Sequence, residues 1–137
     1  MNSIAWFPAA LISLFSFGLW GFFTKMAITY IDAKSALFYQ AIGIACIGLV
    51  TLVLLKFKPD SEIKGMSFGL LSGIATGIGS LLYLIASDKG KVTTVVALTA
   101  LYPLLTIFLA YVILHEGINL KQGFGVLLAL AAIYLLS

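Results

Sequence analysis

Arginine is absent from this chain of 137 residues, cysteine occurs once, and charged residues make up 9% of it. Each scarcity excludes something. An ordinary soluble domain carries about 25% charged residues, and a small one leaves much of its surface in water. A chain that is 62% apolar therefore has no water-soluble fold open to it. A lone cysteine forms no intrachain disulfide, and Cys46, set inside an apolar run, reads as a buried, inert thiol. The chain has no zinc-type ligand cluster, no phosphate-binding glycine loop and no glycosidase-like pair of carboxylates. No metal, cofactor or catalytic constellation is expected, and the chain is not expected to be an enzyme. Its eight lysines are spread between apolar runs, where a nucleic-acid footprint would cluster them. No Asp or Glu falls in the middle of an apolar run, so a carboxylate proton relay of the kind many coupled transporters use has no residue to run on.

What is present is hydrophobic length. A bilayer core takes about 20 apolar residues in a helix, and the chain supplies that, or nearly that, five times: over residues 8–31, 33–55, 64–86, 92–114 and 120–137. The expected fold is an all-α membrane protein, a bundle of five transmembrane helices in a single domain over residues 1–137. Pro8 suits a first helical turn, and Trp6 and Tyr30 suit the two aromatic belts. Asp32 can cap the second helix. In the aqueous loop Lys56-Phe57-Lys58-Pro59-Asp60-Ser61-Glu62, Pro59 stops one helix and the acidic end suits the start of the next. Ser87-Asp88-Lys89-Gly90-Lys91 reads as a short turn, and Asn119 with Gln122 as a capping-box-like pair opening the last span. The opening Met1-Asn2-Ser3-Ile4-Ala5-Trp6 has no lysine before the apolar run, which argues against a cleaved secretory signal.

Lysines in short loops set orientation. One side would hold Lys56, Lys58, Lys64 and Lys121, the other Lys25, Lys34, Lys89 and Lys91, four on each. Three explanations stay open: the N-terminal amine tips the balance, Lys25 lies too deep to count, or the chain inserts both ways and pairs antiparallel with itself.

Inside a bilayer, helices approach through small residues. Gly65, Gly69, Gly73 and Gly77 follow one another at four-residue steps in the third span, with Ser72, Thr76, Ser80 and Tyr83 on nearly the same face. That face suits a tight helix–helix seam, or the polar wall of a cavity. The first span carries Gly18, Gly21, Lys25 and Thr29 in one stripe. Lys25 lies about 9 Å from the helix end at 1.5 Å per residue, and a lysine at that depth costs about 2.5–3.5 kcal/mol unless it reaches water. It either snorkels to the headgroups or faces an aqueous substrate cavity. Gln40, mid-span, must face protein or a cavity. Thr99, Tyr102 and Thr106 share a face beside Pro103, whose missing N–H frees the Thr99 carbonyl and should kink the span. Glu116, beside His115 at the end of that span, can pair with Lys121.

In order, Leu19-Trp20-Gly21 with Lys25, Gly69-Leu70-Leu71-Ser72-Gly73 running into Leu82-Tyr83-Leu84-Ile85-Ala86, Ala97-Leu98-Thr99-Ala100-Leu101-Tyr102-Pro103-Leu104, Leu114-His115-Glu116 and Gln122-Gly123-Phe124-Gly125 resemble the EamA domain of the drug/metabolite transporter superfamily. The likeness covers nearly the whole chain. Most members resemble two such five-helix units fused as inverted repeats, so this chain looks like one half of a ten-helix architecture. The resemblance implies a small-molecule or metabolite transporter of the prokaryotic inner membrane, an exporter working by alternating access as an antiparallel homodimer or with a related half-transporter. A non-catalytic subunit of a heteromeric transporter or of a lipid-carrier flippase is the alternative. By position the resemblance points to Trp20, Lys25 and Pro103 as cavity features, and Glu116 matches a structural helix-end glutamate. Together with the polar faces above, the candidate cavity residues are Trp20, Lys25, Gln40, Tyr83, Thr99, Tyr102 and Pro103. Where the family's second helix usually has an arginine, this chain has Gln40, so recognition of a charged substrate is not carried over. A lysine with no acidic partner leans toward neutral, zwitterionic or anionic solutes.

Overall fold

Several helix ends of this chain fall where a side chain or a reversed backbone takes up their unpaired groups. The computed structural model describes residues 6–117 and 119–136, the side chains of 132, 133 and 136 excepted. It is all-helical in those residues: α1 spans Trp6–Tyr30, α2 Ala33–Leu54, α3 Ile63–Lys89, α4 Val92–Thr99, α5 Tyr102–Ile113 and α6 Leu120–Leu136. α1, α2, α3 and the stretch Val92–Ile113 that α4 and α5 make together are long and apolar enough to cross a membrane, and a shorter apolar stretch, Leu120–Ala131, lies in α6. The residues that bear on a cleaved signal, 1–5, and the last residue of the fifth expected span, Ser137, lie outside the described residues.

The first few N–H groups of a helix have no partner within it, and local side chains supply one at three starts. Asp32 accepts from the amides of Lys34 (2.9 Å) and Ser35 (3.1 Å) ahead of α2. Glu62 accepts from the Gly65 amide at 2.8 Å ahead of α3. Asn119 and Gln122 cap reciprocally, each side-chain oxygen accepting from the other's amide at 2.8–2.9 Å, which is the capping-box geometry. At the far end of α2 the chain reverses before Pro59. Lys56 and Phe57 take left-handed backbone (φ 52° and 58°), the Phe57 amide donates to the Leu52 carbonyl and the Lys56 amide to that of Val53. This is the double closure of a Schellman end, with lysine in the place glycine usually takes.

Two boundaries differ from the sequence expectation. α3 continues through Ser87, Asp88 and Lys89, which were expected in a turn. None of these residues is barred from a helix, Lys89 sits favourably beside the negative end of its dipole, and Gly90 is the first residue to favour a break. The span expected over 92–114 as one kinked helix is divided at Ala100 and Leu101. Pro103 has no N–H for the Thr99 carbonyl. The neighbouring amides tighten instead, Leu101 donating to Leu98 and Leu104 to Leu101, three residues back each time.

The chain forms two compact units, Met1–Asp88 and Lys89–Ser137. In the second, α4 packs on α6. In the first, packing is confined to one end. Its apolar cluster is Ile28, Ala33, Ala36 and Leu84, flanked by Ala27, Leu37 and Ile85. These come from the end of α1, the start of α2 and the end of α3. Away from that end, residues 6–19 of α1, 41–51 of α2 and 63–76 of α3 are all exposed.

Candidate functional site

In the first unit the candidate side chains meet along one stripe of α3. Ser80, Tyr83, Leu84 and Ser87 are its buried residues, and their spacing of three and four places them on one face. Each polar member of that stripe meets a residue from another helix. The Gln40 amide donates to the Ser80 hydroxyl at 3.1 Å. The Trp20 and Tyr83 rings lie 4.9 Å apart between centroids, tilted by 38°. The Lys25 ammonium donates to the Ser87 carbonyl oxygen at 3.1 Å. Four of the candidate residues, Trp20, Lys25, Gln40 and Tyr83, are thus brought onto one helix face.

The Lys25 contact has a simple electrostatic cause. Ser87 lies in the last turn of α3, where carbonyls lack helical partners and the helix dipole is negative. A cation there satisfies the carbonyl and lowers its own cost of sitting in a span. Lys25 is half-buried, with its ammonium held at the end of α3. Gly21 faces the same region: a Cβ there would lie 3.8 Å from the Tyr83 hydroxyl, an ordinary van der Waals contact. Beside these contacts, Thr24 is buried, and the Ser87 hydroxyl is buried without a hydrogen-bond partner among the described residues. The three links are individually weak. Interhelical hydrogen bonds in membranes average about 0.6 kcal/mol and an aromatic pair gives about 0.5–1.5 kcal/mol. Contacts of that size hold a conformation without freezing it.

The other three candidates lie in the second unit. Thr99 closes α4, its hydroxyl donating to the carbonyls of Val95 (2.8 Å) and Val96 (3.1 Å). Tyr102 opens α5 and is exposed, and Pro103 follows it within the first turn. The Thr106 hydroxyl donates to the Tyr102 carbonyl at 3.4 Å. Glu116 lines a hollow of about 180 Å³ with Ile107, Ala110, Tyr111, Gly117, Gln122 and Val126. It makes no ion pair with Lys121 among the described residues, and the expected pairing is not formed. His115 beside it takes left-handed backbone (φ 54°) as the chain leaves α5.

The glycines singled out for packing are mostly unaccompanied. A Cβ on Gly69, Gly73 or Gly77 would meet nothing within 4 Å, and one on Gly65 would meet only the Glu62 carboxylate that caps the helix, at 3.4 Å. Ser87, which sequence reasoning left in a turn, is the position joined to the candidate residues that it missed. The usable signal was the absence of any helix breaker before Gly90.

At the edge of the first unit, Asp32 is fully exposed. The Ser35 hydroxyl and amide, with the Lys34 amide, hold its carboxyl below the ordinary carboxylate value. Hydrogen bonds to the charged form account for that direction. Among the described residues no group of three or more His, Cys, Asp or Glu side chains is placed to hold a metal ion.

Residues 4–137 match the family described as EamA-like transporter family. The chain is 33% identical to an uncharacterised protein of Methanocaldococcus jannaschii over 130 residues, 93% of this chain and 91% of that protein. It is 29% identical to an uncharacterised transporter of a Sinorhizobium species over 138 residues, 98% of each. It is also 29% identical to the glucose uptake protein GlcU of Staphylococcus xylosus over 109 residues, covering 76% of this chain but 36% of that protein. No solved structure matches significantly.

Proposed function

Because the chain belongs to the EamA-like transporter family and is a multi-pass integral membrane protein, we propose that it moves a small neutral, zwitterionic or anionic solute by alternating access, working as an antiparallel homodimer. The observation that carries the solute class is the α3 stripe. Trp20, Tyr83, Gln40, Ser80 and Lys25 present aromatic faces, an amide, hydroxyls and one ammonium. No carboxylate stands among them. A cationic solute would want a buried negative charge. A hydroxylated or anionic one finds donors and an apolar ring surface, the usual mixture of a small-molecule site.

The pairing is supported by the even division of lysines between the two sides and by the inverted-repeat logic of transporters. The divided α4–α5 segment is a mobile element of the kind alternating access needs, with Thr99, Tyr102 and Pro103 at its joint. Export in the inner membrane of a prokaryote is the direction the family resemblance suggests. A second reading, uptake, is favoured by the likeness to the glucose uptake protein GlcU, and it makes glucose the first neutral solute to try.

The test is flux in liposomes holding the purified chain, with a panel of sugars, amino acids and organic acids, with and without a proton gradient. Saturable movement of one class, lost in Gln40→Leu and Lys25→Met, supports the proposal. No movement of any solute by a single-species dimer, with activity appearing only beside a constant foreign partner, would instead make the chain a subunit of a heteromeric assembly. Reporter fusions at the C-terminus should be active on both sides of the membrane, and one strong side alone would remove the case for the antiparallel pair.

A further inference from the structure

The first unit is fastened at one end only. Its cross-helix side-chain links, Trp20 to Tyr83, Lys25 to Ser87 and Gln40 to Ser80, fall in the half bounded by the α1–α2 connection at Asp32 and by the end of α3. Its buried residues fall there too: Thr24, Ile28, Ala33, Ala36, Ser80, Tyr83, Leu84 and Ser87. Toward the other end, bounded by the loop from Lys56 to Glu62, the same α3 face continues through Thr76, Gly73 and Gly69. There it meets no other helix of this unit among the described residues: Thr76 is exposed and its hydroxyl turns back onto the Ser72 carbonyl, and Cβ positions at Gly73 and Gly69 are open.

We propose that the fastened end is a closed gate of the transport path, that Lys25 is its latch, and that the path in this conformation opens toward the side of the Lys56–Glu62 loop. The proposal rests on the transport reading and adds to it which end is shut and what shuts it. Lys25 suits the part because its acceptor is a backbone carbonyl in the last turn of α3. When α1 and α3 part, both ammonium and carbonyl exchange one another for water, so neither is left unpaired in the open state. The other titratable or charged groups at this end are Tyr30 at the end of α1, Asp32, Lys34 and Tyr39 at the start of α2, and Tyr83, Asp88 and Lys89 toward the end of α3. None is joined to Lys25 by an ion pair among the described residues, so Lys25 remains free to leave its carbonyl. The Trp20–Tyr83 contact, one helical turn deeper, closes the floor beneath the latch.

The test is labelling by a membrane-impermeant thiol reagent of the full chain in liposomes, with Cys46→Ser as background and no solute present. Single probes are Gly73→Cys and Thr76→Cys on the open half, and Thr24→Cys and Ala36→Cys on the fastened half. The first pair should react at least about tenfold faster than the second, since an aqueous path reaches one and packed side chains cover the other. Lys25→Met should raise the rate at Ala36→Cys about tenfold, and Lys25→Arg should restore the slow rate. Equal labelling of both halves with Lys25 intact overturns the gate even if Lys25→Met fails to fold, as does reaction of Gly73→Cys only with a lipid-soluble reagent. An unchanged rate at Ala36→Cys in a folded Lys25→Met protein overturns the latch. None of these readings depends on solute flux, so a protein that carries nothing in the flux assay can still show the gate, and a working carrier can still refute it.

Discussion

Gln40 donates to Ser80 across 3.1 Å, and among the described residues this is the one side chain-to-side chain hydrogen bond that ties two helices of the first unit together. Its worth should be modest. A double-mutant cycle of Gln40→Leu and Ser80→Ala, read from unfolding in mixed detergent micelles, should give a coupling of about 0.6 kcal/mol. A coupling above about 2 kcal/mol would mean that the pair anchors the bundle and does not yield during a transport cycle.

Lys56 offers a sharper stability test. It occupies the left-handed position of the α2 terminus, a conformation costing an L-residue about 1–2 kcal/mol and glycine almost nothing. Lys56→Gly should therefore raise the unfolding free energy by about 1 kcal/mol in the same assay. A loss would show that the lysine contributes more through the lipid headgroups than its backbone costs.

The Asp32 cap carries a pH signature. Its carboxyl sits below the ordinary value because Ser35 and Lys34 bond to the charged form. The cap's contribution is therefore complete above the ordinary carboxylate value and fades as pH falls through the lowered one. Asparagine also caps well and does not titrate. Melting temperature against pH should show a shallower acid limb in Asp32→Asn than in the parent, with the two curves meeting near neutrality. Coincident acid limbs would remove the linkage.

Pro103 sets the joint between α4 and α5. Pro103→Ala returns an N–H to the Thr99 carbonyl; because Pro103 stands in the first turn of α5, where proline is well tolerated, the gain should fall well below the roughly 3 kcal/mol of an interior proline. The variant should melt higher and gain helical circular dichroism, and its solute flux should fall several-fold as the joint stiffens. Faster flux with unchanged stability would show that the proline only accommodates packing.

The features legible in the sequence were those set by neighbours in the chain. A cap reaches three residues, so Asp32 and the Asn119–Gln122 pair could be named from spacing. A proline acts on the carbonyl four residues back, so a kink near Thr99 could be foreseen, though not a division of the helix there. The links that assemble the site could not be paired in advance. Trp20 and Tyr83 were both singled out, but nothing in their types says that they meet. Lys25 is joined to a backbone carbonyl 62 residues away, and a carbonyl has no residue type to recognise. Lengths of apolar run gave the number of spans and left their ends open, because Ser87, Asp88 and Lys89 are as compatible with a helix as with a turn.

The bare glycines of α3 make a detector. Within a solitary chain, alanine at Gly69, Gly73 or Gly77 has room and better helix propensity, by about 0.5–1 kcal/mol per site. Each replacement should then strengthen the fold. Any site at which alanine weakens it must be touched by something beyond this chain, so the sign of three small substitutions maps the footprint of a neighbour before that neighbour has been identified.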